Sequence, residues 1–270
     1  MKKVTSKLCL SFIVVITIMF TACNKEKNKD GNTNTANQEY PSTANVLPRI
    51  VTDIDGNSYD AVQIGNQVWM AENLRTSKYA DGTSIPKGRL GNSNEWGETP
   101  YYYIPFNNNS YAYPYGYLYN WYAVMHGSNS SNSNPSRVQG VCPNGWHVPS
   151  EAEWIELKNT VKNNSLFHCG DCENCIAKSL ASTMGWYNSS GNCAVGNNQS
   201  SNNATGFSAY PSAYYQPLYY GDYGSYAAFW STSVGYMDYP MSFGLDCDSA
   251  TFQGGVFHAT MGVPVRCVRD

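Results

Sequence analysis

Val141-Cys142-Pro143-Asn144-Gly145-Trp146-His147-Val148-Pro149-Ser150-Glu151-Ala152-Glu153-Trp154 is the stretch whose reading decides the fold. Pro149 followed by Ser150 marks a helix start, and Glu153, three residues on, completes a capping box. In that arrangement the serine hydroxyl accepts a first-turn N–H while the glutamate reaches back to the serine N–H. Trp154, Leu157 and Val161 then recur at helical spacing and face a core, leaving Glu151, Glu156 and Lys158 toward water. Upstream the pattern is one of strands: 50–53, 58–64 and 67–70, divided by Asp55-Gly56 and Gly65-Asn66, form a meander with short turns. The acidic run Asp53-Ile54-Asp55-Gly56-Asn57 is a turn and not a calcium loop. Its glycine falls at the fourth position instead of the sixth, and no bidentate glutamate follows.

Two more helices are expected, at 117–125 and 173–184, the latter ended by Gly185. From Thr205 onward strands return, at 206–209, 227–232, 240–245, 255–260 and 263–268. Strands, then helices, then strands describe an α+β domain with antiparallel sheets and a few short helices. Regular strand–helix alternation, which a doubly wound parallel sheet needs, is absent.

The N-terminus reads differently. Lys2, Lys3 and Lys7 precede an apolar run from Leu8 to Phe20 that is too short to span a bilayer, and Thr21-Ala22-Cys23 closes it. This resembles the signal peptide and cysteine box of bacterial lipoproteins, which implies lipidation of Cys23 and a membrane partner through that lipid. The expected organisation is a signal peptide over 1–22, a tether over 23–48 and one domain over 49–270. The tether is poor in apolar residues and so expected to be disordered. Its opening, Asn24-Lys25-Glu26-Lys27, resembles the charged signals that send some Bacteroidetes lipoproteins to the outer leaflet of the outer membrane. A generic solvated linker fits it equally well.

The chain has 270 residues and a net charge of −3, which gives no basic surface for nucleic acid. Only 14% of residues are charged, against 22 tyrosines and 23 glycines, a balance that suits extracellular surfaces with long ordered loops. Of nine cysteines, seven lie beyond Cys23: Cys142, Cys169, Cys172, Cys175, Cys193, Cys247 and Cys267. In an exported chain disulfides are the default, and an odd number leaves one free or paired between molecules. A Cys142–Cys267 bond closes a loop of about 125 residues, and Cys169–Cys193 spans the expected third helix. Cys172, Cys175 and Cys247 remain unassigned. The single cluster His168-Cys169-Gly170-Asp171-Cys172-Glu173-Asn174-Cys175 lacks the distant second pair usual in zinc sites, so no metal or cofactor is expected. Nor does a strand–helix–strand pattern surround it, as a thioredoxin-like role requires.

Several motifs together carry a resemblance. They are Gln67-Val68-Trp69-Met70-Ala71-Glu72-Asn73-Leu74-Arg75, Tyr117-Leu118-Tyr119-Asn120-Trp121-Tyr122-Ala123, the 141–150 stretch, Gly206-Phe207-Ser208-Ala209, Phe229-Trp230-Ser231-Thr232 and Val265-Arg266-Cys267-Val268. In this order they resemble the Fibrobacter succinogenes major paralogous domain family, typical of lipoproteins and surface proteins and without an established general activity. More distantly, 145–154 and Val265-Arg266-Cys267-Val268 resemble the formylglycine-generating enzymes and the C-type-lectin fold. That likeness implies an irregular, loop-rich α+β domain and supports the Cys142–Cys267 pairing.

Catalysis finds little support. Formylglycine-generating enzymes need a cysteine pair before the closing strand, where Cys247 stands alone. His126, His147, His168 and His258 sit near no G-x-S-x-G or H-E-x-x-H motif. The lectin calcium signatures Glu-Pro-Asn, Gln-Pro-Asp and Trp-Asn-Asp are missing as well. Tyrosines interleaved with Pro, Gly, Asn and Ser, at 101–115 and 214–226, instead suit a binding face for a glycan or another surface protein. Tyr214, Tyr215, Tyr219 and Tyr220 lead, because Pro211, Pro217, Gly221 and Gly224 break their segment into turns. Core cement for the loops, or contacts within a surface assembly, are the competing roles for these rings.

Overall fold

The computed structural model describes residues 44–89, 97–212, 214–216, 219–221 and 223–269, with the backbone alone at 219 and 220. Strands β1 (Asn45–Thr52), β2 (Ser58–Ile64) and β3 (Gln67–Met70) form the expected meander. β1 starts four residues before the expected domain boundary at 49. β4 (Tyr102–Tyr103), the single turn α1 (Ala112–Tyr115), β5 (Leu118–Tyr119), α2 (Trp121–Met125), α3 (Glu151–Lys162) and α4 (Ala177–Leu180) follow. The chain closes with β6 (Tyr215–Gln216), β7 (Tyr219–Tyr220), β8 (Tyr226–Val234), β9 (Pro240–Asp246), β10 (Gln253–Val256) and β11 (Val268–Arg269). The sheets are antiparallel: β1-β2-β3-β11, β10-β9-β8, β4-β5 and β6-β7. The domain is α+β, irregular and rich in loops.

Two hydrophobic cores explain why its central strands are apolar throughout. Successive side chains of a strand point to opposite faces. In β2, Val62 and Ile64 enter the first core while Tyr59 and Ala61 enter the second. In β8, Ala227 and Phe229 face the first, and Ala228 and Trp230 the second. Helix α3 covers the first core through Trp154, Leu157 and Val161, and α2 covers the second through Ala123 and Val124. The Trp154 ring lies 4.5 Å from Trp69 and within 6.1 Å of Phe207, Phe229, Phe243 and Phe252.

The capping box at α3 is complete. Ser150 Oγ accepts the Glu153 N–H at 3.3 Å, and Glu153 Oε2 accepts the Ser150 N–H at 2.8 Å. Glu153 is fully buried and does more than cap: its Oε2 also accepts the Ser136 N–H at 3.1 Å, and Oε1 lies 2.5 Å from His147 Nε2. Gly140, at φ +52°, lets the loop before this helix pass the end of α2, since a Cβ there would stand 2.1 Å from the Val124 carbonyl oxygen.

The segment 263–269 joins the two halves. It bonds backbone to backbone with Tyr119, Trp230, Leu74 and Met70, and Val268 lies between Trp69 and His147. Arg266, 1% exposed, donates Nε–H to Asn73 Oδ1 at 2.6 Å. Its Nη1 donates to the carbonyls of Met70 (2.9 Å) and Phe207 (2.5 Å), and Nη2 to that of Ser208 (2.8 Å). Cys267, next in line, is bonded to Cys142 across a separation of 125 residues, a closure that removes on the order of 4–5 kcal/mol of unfolded-chain entropy.

Five expectations are corrected. Of the strand at 255–260 only Gly255 and Val256 lie in β10, and of that at 263–268 only Val268 lies in β11. The helix at 173–184 shrinks to α4, because Cys172 and Cys175 are bonded to each other in a turn and Ala181 leaves as a bridge to Ala209. The helix at 117–125 begins only at Trp121: Leu118 and Tyr119 pair with β4, and Asn120 caps α2 by accepting the Ala123 N–H. No strand forms at 206–209, where Ser208 has φ 57° and the Phe207 and Ser208 carbonyls turn to Arg266.

Replacing Arg266 with Ala vacates a large buried volume and orphans three carbonyls. The expected loss in urea denaturation is about 3–5 kcal/mol. Arg266→Lys recovers only part of it, because an ammonium cannot fork to separated acceptors.

Candidate binding surface

The loop between β4 and β5 is built to expose rings. Pro105 starts a tight turn in which Phe106 and Asn107 adopt φ 52° and 53°. A bulky side chain in the left-handed region costs roughly 1–3 kcal/mol and persists only where its surroundings impose it. Asn108 fixes the next turn, its Oδ1 accepting from the Ser110 N–H at 3.0 Å and the Ser110 hydroxyl at 2.8 Å. Phe106, Tyr111 and Tyr113 are left 46%, 39% and 44% exposed.

These rings join others from distant segments. Phe106 lies 4.6 Å from Tyr111 and 3.9 Å from Tyr223. Tyr115 meets Tyr111, Tyr223 and Tyr210 at 6.1, 5.5 and 5.9 Å. The Arg75 guanidinium sits 4.4 Å from the Tyr59 ring and 6.0 Å from the Tyr113 ring. The result is an aromatic platform whose half-buried members, Tyr115, Tyr210 and Tyr223, hold the exposed ones. Burial raises the phenol pKa values of Tyr113, Tyr115 and Tyr210, so near neutral pH their hydroxyls stay protonated and can both donate and accept.

The leading tyrosines fall elsewhere. Tyr215 is fully buried, stacked 3.9 Å from Tyr103, and its hydroxyl donates to the Arg89 carbonyl at 3.2 Å. It is core cement and offers no exposed face. The reason is a pairing hidden from the local sequence: Tyr215 and Gly262 exchange both backbone hydrogen bonds. Tyr214 is half-buried against Phe257 at 5.6 Å. Tyr219 and Tyr220 pair through their backbones with Gln216 and Tyr215, and their side chains lie outside the described residues, as does all of Cys23. The signal for the platform was the run Asn107-Asn108-Asn109-Ser110, turn formers set between aromatic residues.

A separate polar cleft of about 480 Å³ is lined by Asp81, His126, Arg137, Gln139 and Asn144 among others, and a smaller one of about 210 Å³ adjoins it at Ala80 and Asn144. His126 stacks on the buried Tyr79 ring at 3.5 Å. The Asp81 carboxyl is held below its ordinary value chiefly by hydrogen bonds from Thr83, so it stays ionised near neutral pH. Such an exposed, solvated carboxylate makes a poor general acid. Of the other histidines, His147 is tied to Glu153, His168 bonds the Lys162 carbonyl and His258 the Thr260 hydroxyl.

The cysteines pair as Cys142–Cys267, Cys169–Cys193 and Cys172–Cys175. Cys247, buried in the first core, is disulfide-bonded as well. Among the described residues, one group of three possible metal ligands lies together, Asp246-Cys247-Asp248, and it is a local turn in which Asp246 accepts the Asp248 N–H. No helix among the described residues is long and apolar enough to cross a membrane.

The model of the Fibrobacter succinogenes major domain matches residues 62–269. The chain belongs to that family. No curated protein and no solved structure matches it. The family's matched span runs from within β2 to β11 and so takes in the first core, most of the second, the closing segment and the platform loop.

Burial raises the Asp246 pKa, so the folded state resists its ionisation. For a raised carboxyl the favourable contribution is full below the unfolded value and is lost as pH rises through the folded one. Asp246→Asn is therefore expected to raise Tm at pH 7 and to leave it unchanged below about pH 3, read by melts across pH.

Proposed function

We propose that this chain is a lipid-anchored protein of the bacterial cell envelope that presents a non-catalytic, glycan-binding domain on a tether. The observation that carries the reading is the aromatic platform, where Phe106, Tyr111 and Tyr113 expose their faces beside the amides of Asn107, Asn108 and Asn109. Sugar rings offer C–H faces to stack and hydroxyls to bond at the edges, and this surface supplies partners for both with little charge. Attachment by Cys23 rests on the signal pattern before it, and the placement at the outer membrane and toward its surface on the charged run Asn24-Lys25-Glu26-Lys27 after it. A C-type-lectin-like fold is supported by the return of the last strand beside β3 and by the disulfide from the α3 entrance to the closing segment.

A second reading has its own observation. The β8–β9 connection projects Tyr236, Met237 and Tyr239, with Tyr236 74% exposed. An apolar tip of this kind suits contact with another surface protein in an assembly.

Replacing Phe106 and Tyr111 with Ala is expected to weaken glycan binding by about 1–3 kcal/mol in an array screen followed by titration, with Tm nearly unchanged. Unaltered affinity with a lowered Tm would assign the rings to the fold. Metabolic labelling with a fatty-acid analogue tests the anchor: wild type is expected to take label and Cys23→Ser to remain unlabelled precursor.

A further inference from the structure

The three disulfides that join two described cysteines differ in what they hold. Cys142–Cys267 lies in the second core, and Cys193, at the far end of Cys169–Cys193, is 9% exposed. Cys172–Cys175 belongs to neither core. Gly170, Asp171, Cys172, Glu173 and Asn174 are all exposed and Cys175 is half-buried. With a sequence separation of 3, this bond closes the smallest loop of the three and constrains the unfolded chain least. Other interactions shape the turn around it. The Cys175 N–H donates to the Cys172 carbonyl and the Cys169 N–H to the Cys175 carbonyl, both at 3.0 Å. Cys169–Cys193 clamps the base of the turn. Breaking Cys172–Cys175 therefore opens no core and leaves the turn its backbone hydrogen bonds.

We propose that Cys172–Cys175 is an exchangeable disulfide, a surface site that takes a thiol at Cys172. An incoming thiolate attacks the Sγ of the more exposed Cys172, and the bond to Cys175 breaks. Cys175 leaves with the electron pair and takes a proton from water, so the product is a mixed disulfide on Cys172 and a thiol at Cys175. Attack by Cys175 on Cys172 reverses the step and expels the thiol. With a dithiol the second sulfur attacks its own mixed disulfide and frees Cys172. Two electrons then pass from the dithiol, oxidised to a disulfide, to the pair, reduced to two thiols. The spacing keeps Cys175 next to the sulfur it has left, which makes the modification reversible. The role is that of an acceptor, and it requires none of the surrounding strands and helices of a thioredoxin-like enzyme.

The test uses the full oxidised chain under graded dithiothreitol, quenched by alkylation and mapped by mass spectrometry. Cys172 and Cys175 are expected to be alkylated at a dithiothreitol concentration at least about tenfold below that needed for Cys142 and Cys267, with the circular dichroism unchanged. Joint opening of all three bonds, or protection of Cys172 and Cys175 until the fold melts, overturns the proposal. The double variant Cys172→Ser, Cys175→Ser is expected to melt within a few degrees of wild type, whereas loss of the fold would make the bond structural and overturn it too. Finally, oxidised glutathione should place one glutathione on Cys172 in Cys175→Ser; an unmodified Cys172 in that folded variant counts against the site.

Discussion

A buried guanidinium organises this domain. Arg266 has been taken out of water, and its charge is spread over the carbonyl oxygens of Met70, Phe207 and Ser208 and the amide oxygen of Asn73, with the Phe207 ring 4.8 Å away. Desolvating such a group is tolerable only when its donors are met by well-placed acceptors. The acceptors belong to three separate segments: the end of β3, the loop after it, and the irregular stretch around Ser208. The demand for satisfied hydrogen bonds therefore fixes the relative position of three parts of the chain at once. Cys267 and Val268 extend the effect, one covalently into the second core and the other by packing into the first.

Tyrosine serves two purposes here, and the difference lies in the backbone that carries it. In Tyr215 and Tyr119 the strand turns the ring inward and a carbonyl takes the hydroxyl. At Tyr111 and Tyr113 short turns leave the ring half outside, propped by half-buried neighbours. A surface of this type is stiff because its exposed rings are held by contact with others, and stiffness lowers the entropy lost when something docks on it.

What could be read from the sequence follows the range of the interactions involved. The α3 capping box, the Asp55-Gly56 and Gly65-Asn66 turns and the alternating faces of β2 and β8 are settled within a few residues, and each is legible in the letters. The third helix was not, because a bond between Cys172 and Cys175 competes with helix formation and spacing alone leaves their pairing open. The burial of Tyr215 depends on Gly262, and the irregular course at Ser208 depends on Arg266; neither partner is local. Position on the platform was legible only as a preference for turns, since the rings that complete it, Tyr210 and Tyr223, lie about a hundred residues downstream.

The place of Arg266 in the chain has a consequence for how the protein is made. Its bond to Asn73 spans 193 residues, and β11 pairs with β3 across a comparable stretch of chain. During synthesis the meander of β1 to β3 emerges well before its last partner and waits, unpinned, until the segment around Arg266 has been made. Contacts of such span are also slow to find once the chain is complete. A nascent chain cut short before Arg266 keeps most of both cores' apolar strands but lacks the piece that closes them, and is left open to proteolysis. Synthesis of the 263–269 segment thus acts as a checkpoint: only a chain that carries it can lock.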